Sequence, residues 1–451
     1  MYTILGAGLA GISASYHLGH ENCIVFEKND HAGGHIYSEV KNGFTWDEGP
    51  HVSFTKNEYV RELFAKSLNN QFLEYPVYPT NYFKGNWVPH PAQANLYAIP
   101  EPLRTACLND FLETRTQSES ELVPSDYQTW LEMAFGKTFA NNFPSLYTTK
   151  YWTLPPELLN TSWIGDRVFY PDVESVISGF EKPTEHSKHY ITSVRYPTQG
   201  GYFSYASSML EGMQLNYNYS VDRIDLEGKI IYFSNGQTHK YQKLISTLPL
   251  PEFINYCNPH AQICESANKL ICSQLLLINL EIGHPSIRNE HWLYVYDLDK
   301  YSTRINFTEL LSSNNAPTDN CGIQVEVYFS KYKPITENID TIAEKVSMEL
   351  IEMGLIKDKS SILNVHTKWV PYANVIFDHH YKENLNMILE WLNTQGGLAR
   401  EEDDLKPMTD WTTKYNETIT FGDLVLAGRY AQWKYYWTDD CVLRGKLLSE
   451  V

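Results

Sequence analysis

The stretch that most constrains this chain is Gly6-Ala7-Gly8-Leu9-Ala10-Gly11. An apolar run, Tyr2 to Leu5, stands before it, and Ile12 to Leu18 reads as a helix with small residues on its packing side. Strand, glycine turn and helix in that order form the turn that a dinucleotide pyrophosphate needs. Gly6 permits the tight turn, Gly8 lets the backbone approach a phosphate, and Gly11 lets helix and strand close on each other. The helix N-terminus then offers N–H donors and a positive dipole to the anion.

Cys23-Ile24-Val25-Phe26 reads as a second buried strand, and it ends on Glu27. An acid there suits a ribose hydroxyl pair and repels a 2′-phosphate, so the expected ligand is FAD or NAD rather than NADP.

At 451 residues the chain is long enough for two or three domains sharing a large core. A net charge of -18 argues against a nucleic-acid partner and a polybasic membrane surface. An anionic substrate therefore needs a local basic pocket inside an acidic shell. No leader pattern precedes the first strand and no apolar run reaches membrane-span length, so the expectation is a cytoplasmic protein with no membrane span. The seven cysteines include no CxxC and read as reduced. His379 and His380 stand alone, so no metal is expected.

Past Glu27 come His31-Ala32-Gly33-Gly34-His35 and then Gly49-Pro50-His51-Val52-Ser53-Phe54-Thr55. The paired glycines resemble the second fingerprint of the FAD-dependent amine oxidase superfamily. The Gly-Pro-His loop resembles that of the UDP-galactopyranose mutases within it. Further blocks follow the same order: Lys150, Trp152 and Pro155-Pro156; Tyr196-Pro197-Thr198-Gln199-Gly200-Gly201; Leu244 to Pro249; and Leu424 to Arg429. The resemblance runs along the whole chain.

It implies an α/β fold. A Rossmann-like FAD domain would be assembled from residues 1–55, 190–250 and 411–451. A mainly helical insertion would fill 56–189, and a substrate domain with an antiparallel sheet 251–410. Residues 171–190 read as a polar loop, a candidate lid. The Asn86 region reads as a hairpin turning at Gly85-Asn86.

The resemblance also implies roles. Gly6, Gly8, Ala10, Gly11, Glu27, Gly33, Gly34, His35, Gly49, Pro50, His51, Val221, Gly428 and Arg429 would meet FAD. His51 would sit against the flavin and respond to its redox state. Arg304 and Tyr435 would hold a substrate diphosphate, Arg304 through its bidentate fork. Trp152 would stack on the base or sugar, and Arg167 would stand near the substrate. His35 replaces the arginine or asparagine usual at its place. Tyr170 and Pro171 stand where the mutases carry a second arginine, and Trp433 replaces the first of their two late tyrosines.

The function implied is interconversion of pyranose and furanose forms of a nucleotide-linked sugar through reduced flavin N5. The net reaction is redox-neutral, with NAD(P)H or a reductase as electron source. The rival is a net oxidoreductase of amine oxidase, desaturase or protoporphyrinogen oxidase type. A flavin-binding scaffold without turnover is a third reading. No Ser/His/Asp order or carboxylate dyad competes with flavin chemistry.

Overall fold

The computed structural model describes residues 1–116, 124–164, 168, 170–183, 193–396 and 422–450. Two sheets organise it. The first is a five-stranded sheet in the order Leu424–Leu426, Lys243–Ser246, Tyr2–Leu5, Cys23–Phe26, Leu215–Asn216. Every pairing in it is parallel. The buried run Ile4, Leu5, Val25, Leu244 and Ile245 is what a strand covered on both faces requires. Helix Leu9–Leu18 crosses one face, and the last helix, Thr438–Glu450, lies against it. A Cβ at Gly445 would come within 2.5 Å of the Ser13 backbone, so the two helices meet where both are small.

The second sheet has seven strands: Ile362–Val375, Cys272–Ile282, Cys321–Phe329, Arg304–Phe307, Trp292–Val295, Thr80–Phe83 and Asn86–Pro89. All neighbours are antiparallel except Thr80–Phe83 beside Trp292–Val295. Hence the Gly85-Asn86 hairpin does not stay with the helices that follow it; it extends the sheet of the later insertion. Helix Ile339–Glu352 packs Ile342, Val346 and Leu350 onto the outer face of this sheet.

Helices Leu103–Thr116, Tyr127–Phe135, Lys137–Asn142 and Pro144–Tyr151 form a cap. Its Phe111, Leu131, Phe135, Phe139 and Phe143 share one core with Phe26 and Leu244 of the nucleotide sheet, Phe83 and Val88 of the seven-stranded sheet, and Trp433. The cap is therefore fixed to both sheets by burial, the dominant non-directional force.

Two expectations are corrected. Residues Val173–Glu181 form a helix rather than loop. Asp172 caps it by accepting from the Ser175 N–H at 2.7 Å, and Val173, Val176, Ile177 and Phe180 keep helical spacing. The rest of the candidate lid, 184–190, lies outside the described residues. The 14-residue strand Ile362–Val375 went unread. It is an edge strand, the position where its Pro371 is tolerated.

Candidate active site

One cavity of about 840 Å³ runs from the glycine turn to the cap. That volume is near the upper end for ligand pockets, ~300–1,000 Å³. Its first half is the expected cradle. Gly6 has φ +96°, and a Cβ on Gly11 would stand 2.0 Å from the Gly6 carbonyl oxygen. Gly8 faces Gly33 and Gly34 across a narrow cleft, where the Gly33 N–H donates to the Ala7 carbonyl at 2.8 Å. A Cβ on Gly8 would find only the Gly34 Cα, at 3.9 Å, so the space beside it is open to a ligand. Gly8 is the N-cap of the first helix, and no side chain caps it. A pyrophosphate fits that unclaimed helix end.

Glu27 is buried, and its carboxylate accepts from the N–H of Ala7 at 2.8 Å and of Asn29 at 2.9 Å. A carboxylate has about four acceptor sites, so ribose hydroxyls can be added to these two bonds. Val221, Ala10 and Gly428 also line this half.

Where the cradle turns toward the cap, an ionic chain lines the wall. The Glu48 carboxylate lies between His35, whose Nδ1 it contacts, and Lys368, whose Nζ donates to it at 2.6 Å. Burial pushes the Glu48 carboxyl up, but His35 and Lys368 pull it further down, to about 2. Beside it, His51 contacts the Gly49 carbonyl through Nδ1 at 3.2 Å and lies 5.3 Å from the Tyr202 ring. Burial lowers its proton affinity, against the pull of Asp47. Asp47 is itself buried and accepts from Ser38, Tyr196 and the Tyr202 N–H. Burial raises its carboxyl despite those donors.

The second half is aromatic around an arginine. Arg304 forks onto Glu326, both bonds 2.7 Å, and the Tyr328 hydroxyl donates to the same carboxylate at 2.9 Å. Its remaining nitrogen, Nη1, has no hydrogen-bond partner among the described residues. Tyr147, Tyr151 and Tyr294 line the cavity near it. The Trp152 and Tyr435 rings meet at 5.6 Å, tilted by 52°, and the Arg429 guanidinium sits 5.0 Å over the Tyr435 ring.

Comparison with known proteins decides what this cradle belongs to. The profile of the flavin-containing amine oxidoreductases matches residues 9–271, more than half of the chain. The chain belongs to that family. Its fold is similar to that of a reduced UDP-galactopyranose mutase, with a TM-score of 0.86 at 22% identity, over 100% of this chain and 94% of the other. A candidate protoporphyrinogen oxidase from Exiguobacterium sp. 255-15 gives a TM-score of 0.69 at 15% identity, over 100% and 97%. The 4,4'-diapophytoene desaturase (4,4'-diaponeurosporene-forming) of Staphylococcus haemolyticus (strain JCSC1435) is 25% identical over 288 residues, 55% of each chain. The match thus spans about half the length of that curated relative. These likenesses make the protein a flavoenzyme with FAD as its cofactor.

In this flavin amine oxidoreductase, Gly6, Gly8, Ala10, Glu27, Gly33, Gly34, His35, Pro50, His51, Val221, Gly428 and Arg429 share one cavity with Trp152, Arg304 and Tyr435. Gly11 and Gly49 lie just behind it: Gly11 against the Gly6 turn, Gly49 against Glu326. Arg167 lies outside the described residues. Lys150 does not line the cavity; its Nζ donates to the carbonyls of Asp297 and Ser302 at 2.7 and 2.6 Å. Among the described residues no metal-binding cluster is present, and no helix is long and apolar enough to cross a membrane.

Sequence reasoning missed Glu48, Glu326, Lys368 and Asn374. Glu48 had a signal, being the acid directly before the Gly-Pro-His loop. The others meet the site only through pairing of distant strands, with Glu326 opposite Arg304 in register.

Proposed function

We propose that this flavoenzyme interconverts ring forms of a nucleotide-linked sugar. The observation that carries the reading is the composition of the cavity beyond the cradle. A hydroxyl-rich anionic ligand is matched there by Arg304, Arg429 and the phenols of Tyr147, Tyr151, Tyr294, Tyr328 and Tyr435. The fold likeness to a UDP-galactopyranose mutase along the whole chain supports it. A polyene would offer nothing to the Nη1 of Arg304 or the Nε of Arg429, which have no hydrogen-bond partner among the described residues, and a buried polar group left so costs roughly 1–3 kcal/mol.

When bound and reduced, FAD supplies a nucleophile for the anomeric carbon. The protein's work is binding and orientation. Trp152 offers a flat face to the base or sugar, and it is held in place by Trp163 at 5.0 Å and Tyr435 at 5.6 Å. Arg304, oriented by Glu326, directs Nη1 at the diphosphate and stabilises it as it leaves. His51, kept largely uncharged by burial, presents a neutral ring beside the flavin and holds or releases a proton as the charge there changes. The cap lines the cavity with Phe135, Phe139, Tyr147 and Tyr151 and would limit water at a bound substrate.

The protein's flavin is reduced with dithionite, and UDP-galactopyranose and other nucleotide sugars are added. Products are separated by chromatography beside an unreduced control. Furanose product in the reduced sample alone is the expected result. No conversion, with no change in the flavin spectrum on adding any nucleotide sugar, refutes it. The desaturase relative favours net oxidation as the reading to test next, by reoxidation assays with polyene, amine and porphyrinogen substrates.

A further inference from the structure

Arg429 carries a partly buried charge in the cavity wall. Its terminal nitrogen donates to the Asn374 side-chain oxygen at 2.8 Å, while its Nε is buried without a hydrogen-bond partner among the described residues. The rings of Tyr435 and Tyr430 lie 5.0 and 5.7 Å from the guanidinium. No carboxylate stands within ion-pair distance of it among the described residues.

The other cavity cations differ. Arg304 is neutralised by Glu326 and Lys368 by Glu48, while Lys28 is exposed at the far end beside Glu27. A partly buried guanidinium with a buried Nε and no counter-ion is costly unless a ligand completes it. A diphosphate brings at least two negative charges, and Arg304 alone meets it with a charge already cancelled. Tyr151 joins the two arginines: its hydroxyl donates to the same Asn374 oxygen at 3.1 Å, and its ring lies 4.8 Å from that of Tyr328, which bonds Glu326. Arg429, Asn374, Tyr151, Tyr328, Glu326 and Arg304 thus form one continuous wall.

We propose that the Arg429 side chain, stacked on Tyr435, is the second cation for the diphosphate of the substrate. This rests on the nucleotide-sugar reading. It gives Arg429 a role its backbone does not fill beside Gly428, and it supplies the charge that Tyr170 lacks.

The test uses FAD-loaded enzyme and the variants Arg429→Met and Arg429→Lys. UDP and uridine are titrated into each by calorimetry, and FAD content is read from the flavin-to-protein absorbance ratio. Arg429→Met should keep its FAD and bind uridine within about twofold of the parent, but bind UDP about tenfold or more weakly. Arg429→Lys, which keeps the charge without the fork, should fall between. Unchanged UDP binding by Arg429→Met overturns the proposal. So does equal weakening for UDP and uridine, or loss of FAD, either of which assigns Arg429 to packing or to the flavin. A parent enzyme that binds no UDP refutes the nucleotide-sugar reading itself, and this proposal with it.

Discussion

Glu326→Gln tests the most heavily buried charge pair in the cavity. The Glu326 side chain is 1% exposed and that of Arg304 24%. The glutamate accepts three bonds: two from the Arg304 fork and one from the Tyr328 hydroxyl. Glutamine keeps the shape but turns one acceptor into a donor, so at least one N–H faces another donor. Breaking a buried ion pair by removing one partner costs about 3–5 kcal/mol. Arg304 opens partly onto the cavity and recovers some hydration, which brings the expected loss to about 2–3 kcal/mol. Thermal unfolding followed by flavin fluorescence should show a midpoint lower by several degrees. UDP affinity should move the opposite way, because the freed fork adds a net positive charge to the cavity. The double variant Arg304→Met/Glu326→Leu removes both charges and should be more stable than Glu326→Gln alone. A Glu326→Gln protein as stable as the parent, with a less stable double variant, would refute the reasoning.

Two further outcomes are expected. Gly11→Ala places a Cβ 2.0 Å from the Gly6 carbonyl oxygen, which only a backbone shift can relieve, so it should purify without FAD or not fold; the flavin-to-protein absorbance ratio checks it. The Glu48 carboxyl, held at about 2 in the fold against a reference of 4.5, contributes about 3 kcal/mol that is present above pH 4.5 and lost as pH falls toward 2. Glu48→Gln should therefore be less stable than the parent at pH 7, and the gap should narrow through that acid range in parallel unfolding scans.

The cradle was legible because its physics is local. A strand of four residues, a glycine turn, a helix and an acid at the next strand end all lie within Tyr2 to Glu27. The same holds for Gly33-Gly34 and for Gly49, whose φ of +91° needs glycine beside Glu326. The hairpin Thr80–Pro89 was legible as a hairpin, yet its parallel seat beside Trp292–Val295 was not, since nothing local fixes the partner of an edge. Strand Ile362–Val375 hid behind Pro371 and a polar half, and the helix Val173–Glu181 behind its polar neighbours. Arg304 could be read as an anion ligand, but its Glu326 partner sits 22 residues away and the Asn374 shared by Tyr151 and Arg429 stands over 50 from either. Those contacts belong to sheet register, which only the folded chain sets.

The order of strands in the nucleotide sheet has a bearing on how the molecule is made. Its central strand, Tyr2–Leu5, is synthesised more than 400 residues before the edge at Leu424–Leu426 and the covering helix Thr438–Glu450. While the ribosome elongates the chain, Lys243–Ser246 presents unpaired backbone on one side, and the small-residue face of Leu9–Leu18 stays bare. The seven-stranded sheet takes no strand from that late segment, but the core of the cap takes Leu424, Leu426, Ala431 and Trp433 from it, so the cap and the FAD cradle close together. Nascent chains stalled before residue 424 should expose an apolar strand edge and recruit chaperones. Arrival of residues 424–450 then acts as a latch, coupling cofactor retention to synthesis of that segment.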